Sequence, residues 1–224
     1  MPRVLVLQCG TTHPGVVERH GDYTDWFKAR LPAEVEICRV FAGEEPPEMS
    51  DYDGVLLTGS PLSVRDEAPW MAAVGRKALA AAEAGTPVLG VCFGHQLLGE
   101  LLGGRVEQNP RGLEVGTVQV TQTEAGRQDP LFEGVPPVSS FNATHRDILV
   151  RPPEGATLLA SNENTAWQAF AVGDRLRCVQ FHPELAPEPM ATLMAMRGQE
   201  GEVRASDDGT KILENWVKHF VQGP

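Results

Sequence analysis

The sequence predicts an α/β fold: an open, mostly parallel central sheet flanked by helices, with an additional mixed or antiparallel strand region. Three observations carry this expectation. Apolar β-forming runs alternate with helical patterns up to Gly104. After Gly104 the pattern changes to short strand-like runs separated by Gly, Pro and Asn. The 224 residues are enough for one domain with a sizeable core, so residues 1–224 are read as a single domain.

Taken in order, the first strand-like runs are Val4–Leu7, Val35–Val40, Gly54–Thr58 and Pro87–Val91. Helical patterns lie between them, at about Val16–Leu31 and Ala68–Ala84, the second stopping at Gly85. Such alternation implies βαβ units with right-handed crossovers. Ligands then bind beyond the C-terminal ends of the strands. A further helical pattern runs from Gln96 to Leu102. The later strand-like runs are Val106, Val115–Thr121, Val138–Phe141, Thr157–Ala160, Thr165–Val172 and Arg175–Phe181, with a tight hairpin expected at Gly173-Asp174. Pro187–Met196 and Lys211–Val221 read as helices packing on the sheet, and the Gly- and Asp-rich stretch between them, Arg197–Thr210, as a mobile loop.

Composition excludes several classes. Hydrophobic content of 42% and charged content of 22% are those of an ordinary globule. The formal charge is −11, from 19 basic and 30 acidic residues, and no basic stripe is present, which argues against nucleic acid as a partner. No apolar run is long enough to cross a membrane, and the N-terminus reads as a strand rather than a secretory signal. The expected location is cytoplasmic. The four cysteines, Cys9, Cys38, Cys92 and Cys178, show no C-x-x-C spacing, so no metal site is expected. Cys9, Cys38 and Cys178 lie in or beside apolar runs and read as buried, inert thiols.

Cys92 differs. It sits in G-V-C-F-G-H-Q, Gly90 to Gln96, between a strand-like run and a helical one. Glycine two residues away on each side permits the close backbone approach of a sharp strand-to-helix corner, the cysteine version of a nucleophile elbow. A helix start behind Cys92 favours its thiolate. A base is available in V-Q-F-H-P-E, Val179 to Glu184. His182 falls at a strand end, Pro183 biases it toward extended backbone, and Glu184 can face the same side. Together they read as a Cys92-His182-Glu184 relay. Thr58-Gly59-Ser60-Pro61 follows another strand directly, so the Gly59 and Phe93 N–H groups form a candidate oxyanion hole. Taken singly, His182, Glu184 and the Gly-Ser-Pro turn each have plain structural readings. Their convergence at three strand ends is what points to one chemistry.

These motifs resemble class I (triad) glutamine amidotransferases, and in particular the amidotransferase domain of GMP synthase and its free-standing relatives. The resemblance runs from Val4 to about Phe220 and implies the flavodoxin-like class I amidotransferase fold. It implies hydrolysis of the glutamine side-chain amide: Cys92 attacks, a γ-glutamyl thioester forms, ammonia leaves, and water releases glutamate. It places Gln96 at the amino-acid end of the substrate. It aligns Thr144-His145-Arg146-Asp147 with a segment lining the glutamine pocket, so His145 is a substrate-binding candidate and Asp147 a weaker one. Gly112-x-Glu114-x-Gly116 also matches, without an assigned role.

A synthetase module common on GMP synthase chains has no counterpart here. The expected partners are therefore glutamine or another γ-glutamyl small molecule, with an ammonia-accepting synthetase in trans as one arrangement; a homo-oligomer is compatible with the sequence. A second reading keeps the triad and changes the substrate to other γ-glutamyl conjugates such as γ-glutamyl amines, which the excess of acid residues would suit. A third is a non-catalytic glutamine-binding or regulatory protein. No cofactor is expected, because a thiolate, a base and oxyanion donors suffice for amide hydrolysis.

Overall fold

The computed structural model describes residues 1–223. In chain order its elements are β1 (Arg3–Leu7), α1 (Pro14–His20), α2 (Tyr23–Arg30), β2 (Glu34–Cys38), β3 (Gly54–Leu57), α3 (Pro69–Glu83), β4 (Val88–Val91), α4 (Phe93–Leu101), β5 (Arg105–Gln108) and β6 (Glu114–Gln122). They continue with α5 (Glu124–Gln128), β7 (Val138–His145), β8 (Asp147–Arg151), β9 (Thr157–Ser161), β10 (Ala169–Val172), β11 (Leu176–Val179), α6 (Pro187–Arg197) and α7 (Asp208–Trp216).

Nine strands form one sheet in the order β2-β1-β3-β4-β11-β10-β9-β6-β7. From β2 to β11 the pairing is parallel. From β11 to β7 it is antiparallel. A separate two-stranded ribbon, β5-β8, lies beside it. The central strands β3, β4 and β11 are buried throughout, as parallel strands covered on both faces must be. Alternate residues feed opposite faces. Val4, Val6, Leu56 and Leu89 pack with Phe27, Ile212 and Trp216, whereas Leu5, Leu7, Leu57 and Val88 pack with Val74, Ala78, Phe93 and Leu97. A smaller cluster ties α1 and α2 to α6 through Val16, Tyr23, Trp26, Met190 and Leu193.

Several boundaries differ from the sequence expectation, each for a local reason. The single helix expected over Val16–Leu31 is two helices. Gly21 takes φ +76°, and Asp22 starts α2 with a capping box closed by Asp25. The Val35–Val40 run leaves the sheet at Cys38, and Val40–Ala42 forms a 3₁₀ turn. The Thr165–Val172 run is strand only from Ala169, because Asn162 turns the chain and its side-chain oxygen accepts from the Asn164 and Thr165 N–H groups. The Arg175–Phe181 run is strand only over Leu176–Val179. The Gly173 hairpin forms as expected, pairing Val172 with Leu176 across a glycine at φ +54°. The late helix divides into α7 and a π-helical turn, Val217–Val221. The stretch expected as a mobile loop is tied to β6: Thr117 N–H donates to the Glu202 carbonyl at 2.7 Å and Arg204 N–H to Thr117 Oγ1 at 2.8 Å. The ribbon strand β8 and the short α5 carry no periodicity in the sequence.

The β4–α4 junction is the tightest point of the fold. A Cβ built on Gly94 would lie 2.6 Å from the Leu57 carbonyl oxygen, and one on Gly90 2.9 Å from the Gly94 carbonyl. Both obstacles are backbone, which cannot rotate aside. Gly94→Ala is therefore expected to lower stability by about 1–3 kcal/mol, as overpacking does. Urea unfolding checks this, and an unchanged midpoint would show that β3 and α4 can separate freely.

Candidate active site

The parallel register brings three chain segments to one level. Leu57 pairs with Gly90, and Cys178 pairs with Gly90 from the other side. Two residues further along, Gly59, Cys92 and Gln180 emerge together at the C-terminal edge of the sheet. Cys92 has φ +51° and ψ −98°, a left-handed backbone unusual for a non-glycine residue. Its N–H donates to the Val179 carbonyl at 2.8 Å, and its carbonyl accepts from Gln96 N–H at 3.0 Å. The strained residue is thus pinned to both the sheet and α4.

His182 reaches the same edge from β11. Its N–H donates to the Asn142 carbonyl of β7 at 2.8 Å in an isolated antiparallel bridge, consistent with the extended backbone expected before Pro183. Its ring Nδ1–H donates to Glu184 Oε1 at 2.7 Å, and Cys92 is near enough for its charge to act on the ring. Glu184 is wholly buried. Burial alone would lower the proton affinity of His182. The Glu184 charge and hydrogen bond, with the Cys92 charge, outweigh it and hold the imidazole well above its ordinary value of 6.5. Tyr23 stacks on the ring at 6.1 Å between centroids and 12° between planes. Burial, then the Cys92 and Glu184 charges, push the Tyr23 phenol up, which keeps it neutral.

Gly59 lies against the His182 ring: a Cβ there would come within 2.6 Å of Cε1. Its carbonyl accepts from the Thr58 hydroxyl at 2.9 Å. Its N–H and that of Phe93, the first residue of α4, donate to no protein acceptor among the described residues. Two unused amide donors therefore border Cys92. The other three cysteines are buried, free thiols. Burial pushes the Cys9 thiol up to about 12 and raises Cys38 and Cys178 as well, which keeps all three protonated.

A cleft of about 450 Å³ opens over Cys92 and His182. Gln96 lines it, but its Nε2 donates to the Asp147 carbonyl at 2.7 Å and to Gln180 Oε1 at 3.1 Å, so that amide nitrogen is already committed to holding the wall. His145 also lines it, with Nε2 2.8 Å from Glu114 Oε2, close but off the line of a good hydrogen bond. Glu114 accepts from Asn162, Thr165 and Gln168 at 2.7–2.9 Å. Burial raises its proton affinity, and His145 first, then Asn162 and Thr165, overcome that to leave it lowered. The Gly112-x-Glu114-x-Gly116 segment thereby acquires a place: Glu114 sits beside His145 within a buried hydrogen-bonded cluster. Asp147 accepts from the Ser63 hydroxyl at 2.5 Å and lies 3.4 Å from Arg65 Nε. His95 faces away, buried against Phe170 at 4.9 Å.

Sequence reasoning missed Tyr23, Gln180, Asn142, Arg65 and Arg197. Gln180 had a signal, a polar residue inside an otherwise apolar strand end. The others lie outside the motifs, and only the fold brings them near Cys92. No group of three metal-ligating side chains occurs among the described residues.

Residues 27–198 match the family model described as "Glutamine amidotransferase class-I". The chain belongs to the class I glutamine amidotransferase family. It is 35% identical over 180 residues to a component of the glutamine-hydrolyzing GMP synthase of Halobacterium salinarum, covering 78% of this chain and 90% of that one. It is 30% identical over 181 residues to gamma-glutamyl peptidase 3 of Arabidopsis thaliana, covering 77% and 73%. Among solved structures, a glutamine amidotransferase of Thermotoga maritima superposes with a TM-score of 0.72 at 22% identity, covering 88% and 82% of the two chains. That likeness supports the fold alone. No helix among the described residues is long and apolar enough to cross a membrane.

The buried pair sets a pH dependence. Folded His182 holds its proton more tightly than the unfolded chain does, so the pairing adds stability below about pH 6.5 and loses it as pH rises through the folded-state midpoint. In Glu184→Gln the imidazole loses its nearest counter-charge. Its midpoint, followed by histidine NMR, is expected to move down, and the stability deficit of the variant to be largest on the acid side. An unmoved midpoint would show that Glu184 does not govern the ring.

Proposed function

We propose that the chain is a hydrolase of γ-glutamyl amides, with glutamine the simplest substrate, working through a Cys92 thioester. The observation that carries this reading is the buried Glu184–His182 pair sharing one cleft with the strained Cys92, beside two unused backbone donors. Cys92 Sγ attacks the amide carbon. The Gly59 and Phe93 N–H groups take up the charge on the oxygen. His182 gives its proton to the departing nitrogen, then takes one from the water that cleaves the thioester. Glu184 fixes the ring orientation and balances the imidazolium. Gln96 and His145, with Asp147, shape the wall that receives the glutamyl end.

Relatives of both kinds bear on the substrate. One is named as part of a glutamine-hydrolysing synthase, the other as a γ-glutamyl peptidase, and both names describe scission of a bond at the same carbonyl. A synthetase that accepts ammonia in trans accords with the first. Hydrolysis without an acceptor accords with the second. A purely non-catalytic role is disfavoured, because a silent binding protein has no need of a buried His–Glu pair against a strained cysteine.

Cys92→Ala is expected to reduce glutamate release from γ-glutamyl substrates by at least about 10³-fold, as loss of a nucleophile does. Unchanged turnover would dismiss Cys92 as the nucleophile. Intact-mass detection of a γ-glutamyl adduct in wild type, absent from the variant, gives a second readout.

A further inference from the structure

We propose that Asn142 is a positioning residue for the His182–Glu184 pair: it holds both ends of the turn that carries them, and Thr117 orients its side chain. This deepens the hydrolase reading, on which its kinetic test rests.

The turn is the weak part of the relay. The chain leaves the sheet at Val179, and residues 182–185 fold into one turn closed by a 3.4 Å bond from Leu185 N–H to the His182 carbonyl. That bond is long, and Pro183 within the turn has no N–H to add another. Yet Glu184 Oε1 must stay 2.7 Å from His182 Nδ1. Rigidity has to come from outside the turn.

Asn142 supplies it at both ends. Its main-chain carbonyl accepts from His182 N–H at 2.8 Å, and its side-chain Nδ2 donates to the Leu185 carbonyl at 2.9 Å. β7, which carries Asn142, is the last strand of the sheet, so its outer edge is free to receive this segment. The main-chain contact is open to any residue, and it is backed by Phe141 stacking on Phe181 at 3.8 Å between centroids. The side-chain contact needs a donor of the right length.

The amide is oriented by a one-way chain of donors. Arg204 N–H donates to Thr117 Oγ1 at 2.8 Å, the Thr117 hydroxyl donates to Asn142 Oδ1 at 2.7 Å, and Asn142 Nδ2 donates to Leu185. Thr117 lies directly across from Asn142 in the β6–β7 register. A carbonyl only accepts, so Leu185 fixes which end of the amide faces the turn. The hydroxyl hydrogen then has one near acceptor, the Arg204 carbonyl lying farther off at 3.5 Å. Aspartate has the same shape but no donor for Leu185; alanine reaches neither partner. From the opposite side the turn is closed by the start of α7, where a Cβ on Gly209 would lie 2.5 Å from the Pro183 carbonyl oxygen. His182 and Glu184 are therefore held between β7 and α7, with Asn142 the polar half of the clamp.

The test compares Asn142→Ala, Asn142→Asp, Thr117→Val and Thr117→Ser with wild type. One readout is steady-state glutamate release from glutamine and γ-glutamylglycine. The other is solvent exchange of the His182 Nδ1 proton by NMR, with the Cys92 amide, bonded to Val179, as internal reference. Asn142→Ala and Asn142→Asp are expected to lower kcat by about 10–100-fold with KM within about threefold, as misplaced catalytic groups do and lost substrate contacts do not. Exchange of the His182 proton should rise about tenfold or more while that of the Cys92 amide holds. Thr117→Val should show the same pattern at smaller size, and Thr117→Ser, which keeps the hydroxyl, should return close to wild type. Unchanged kcat and exchange in Asn142→Ala overturn the proposal, and so does a rise at both protons, which means general loosening. Equal behaviour of Thr117→Val and Thr117→Ser also overturns it, and decides the matter if the Asn142 variants do not fold. Inertness of wild type toward both compounds removes the hydrolase reading, and the exchange comparison then decides the role of Asn142 by itself.

Discussion

The close approach of α4 to the sheet is the constraint from which the site follows. Cys92 can occupy its left-handed backbone only because β4 and α4 meet without side chains between them. Gly90 and Gly94 supply that contact, with the Leu57 carbonyl of β3 2.6 Å from any Cβ added at Gly94. A non-glycine residue at φ > 0 costs on the order of 1–3 kcal/mol and persists only where its surroundings over-determine it. Here they do. The Cys92 N–H is held by Val179, its carbonyl by Gln96, and every residue from Phe93 to Gly99 is buried. The strand order then does the rest. β4 lies between β3 and β11, so Gly59 comes to one side of Cys92 and the chain leading to His182 to the other.

The site also concentrates charge where burial is expensive, and does so twice with the same device. His182 is paired with Glu184, and His145 with Glu114, on different walls of one cleft. Neither carboxylate is solvated, and an unpaired buried charge would be prohibitive. The two pairs are balanced differently. Glu114 has three further donors in Asn162, Thr165 and Gln168. Glu184 has one oxygen on His182 and a second with no partner among the described residues. A richly bonded carboxylate fixes its imidazole as part of a wall. A sparsely bonded one depends on the imidazole proton for its own balance.

Much of this was legible in the sequence, because it depends on short-range chemistry. A cysteine flanked by Gly90 and Gly94 announces a tight corner, and a histidine before Pro183 announces an extended strand end with Glu184 in reach. The α/β alternation predicted the parallel half, and the turn residues after Gly104 predicted the change of pattern. The order of the antiparallel strands was not legible, since β6 lies between β9 and β7 through pairings that no local periodicity encodes. Nor was the break at Gly21, where a single glycine and a capping aspartate outweigh an otherwise continuous helical pattern. Tyr23 and Arg197 were invisible for a different reason. Each is an unremarked residue at a helix end, and it comes to the cleft only when α1, α2 and α6 pack together, Tyr23 stacking on His182 and Arg197 lining the opening.

The relation between whole-chain charge and cleft charge follows from the same packing. A net charge of −11 acts through solvent and is screened beyond roughly 8–10 Å at physiological salt. What a bound ligand meets is the lining within a few ångströms. There three arginines, Arg65, Arg146 and Arg197, face two acids, Asp66 and Asp147, both of which already accept hydrogen bonds from the protein. The acidic surface therefore bears on solubility and on which macromolecules the chain repels. The electrostatic environment above Cys92 is therefore set locally, by Arg65 paired with Asp147 and by Arg146 and Arg197, which pair with no carboxylate among the described residues.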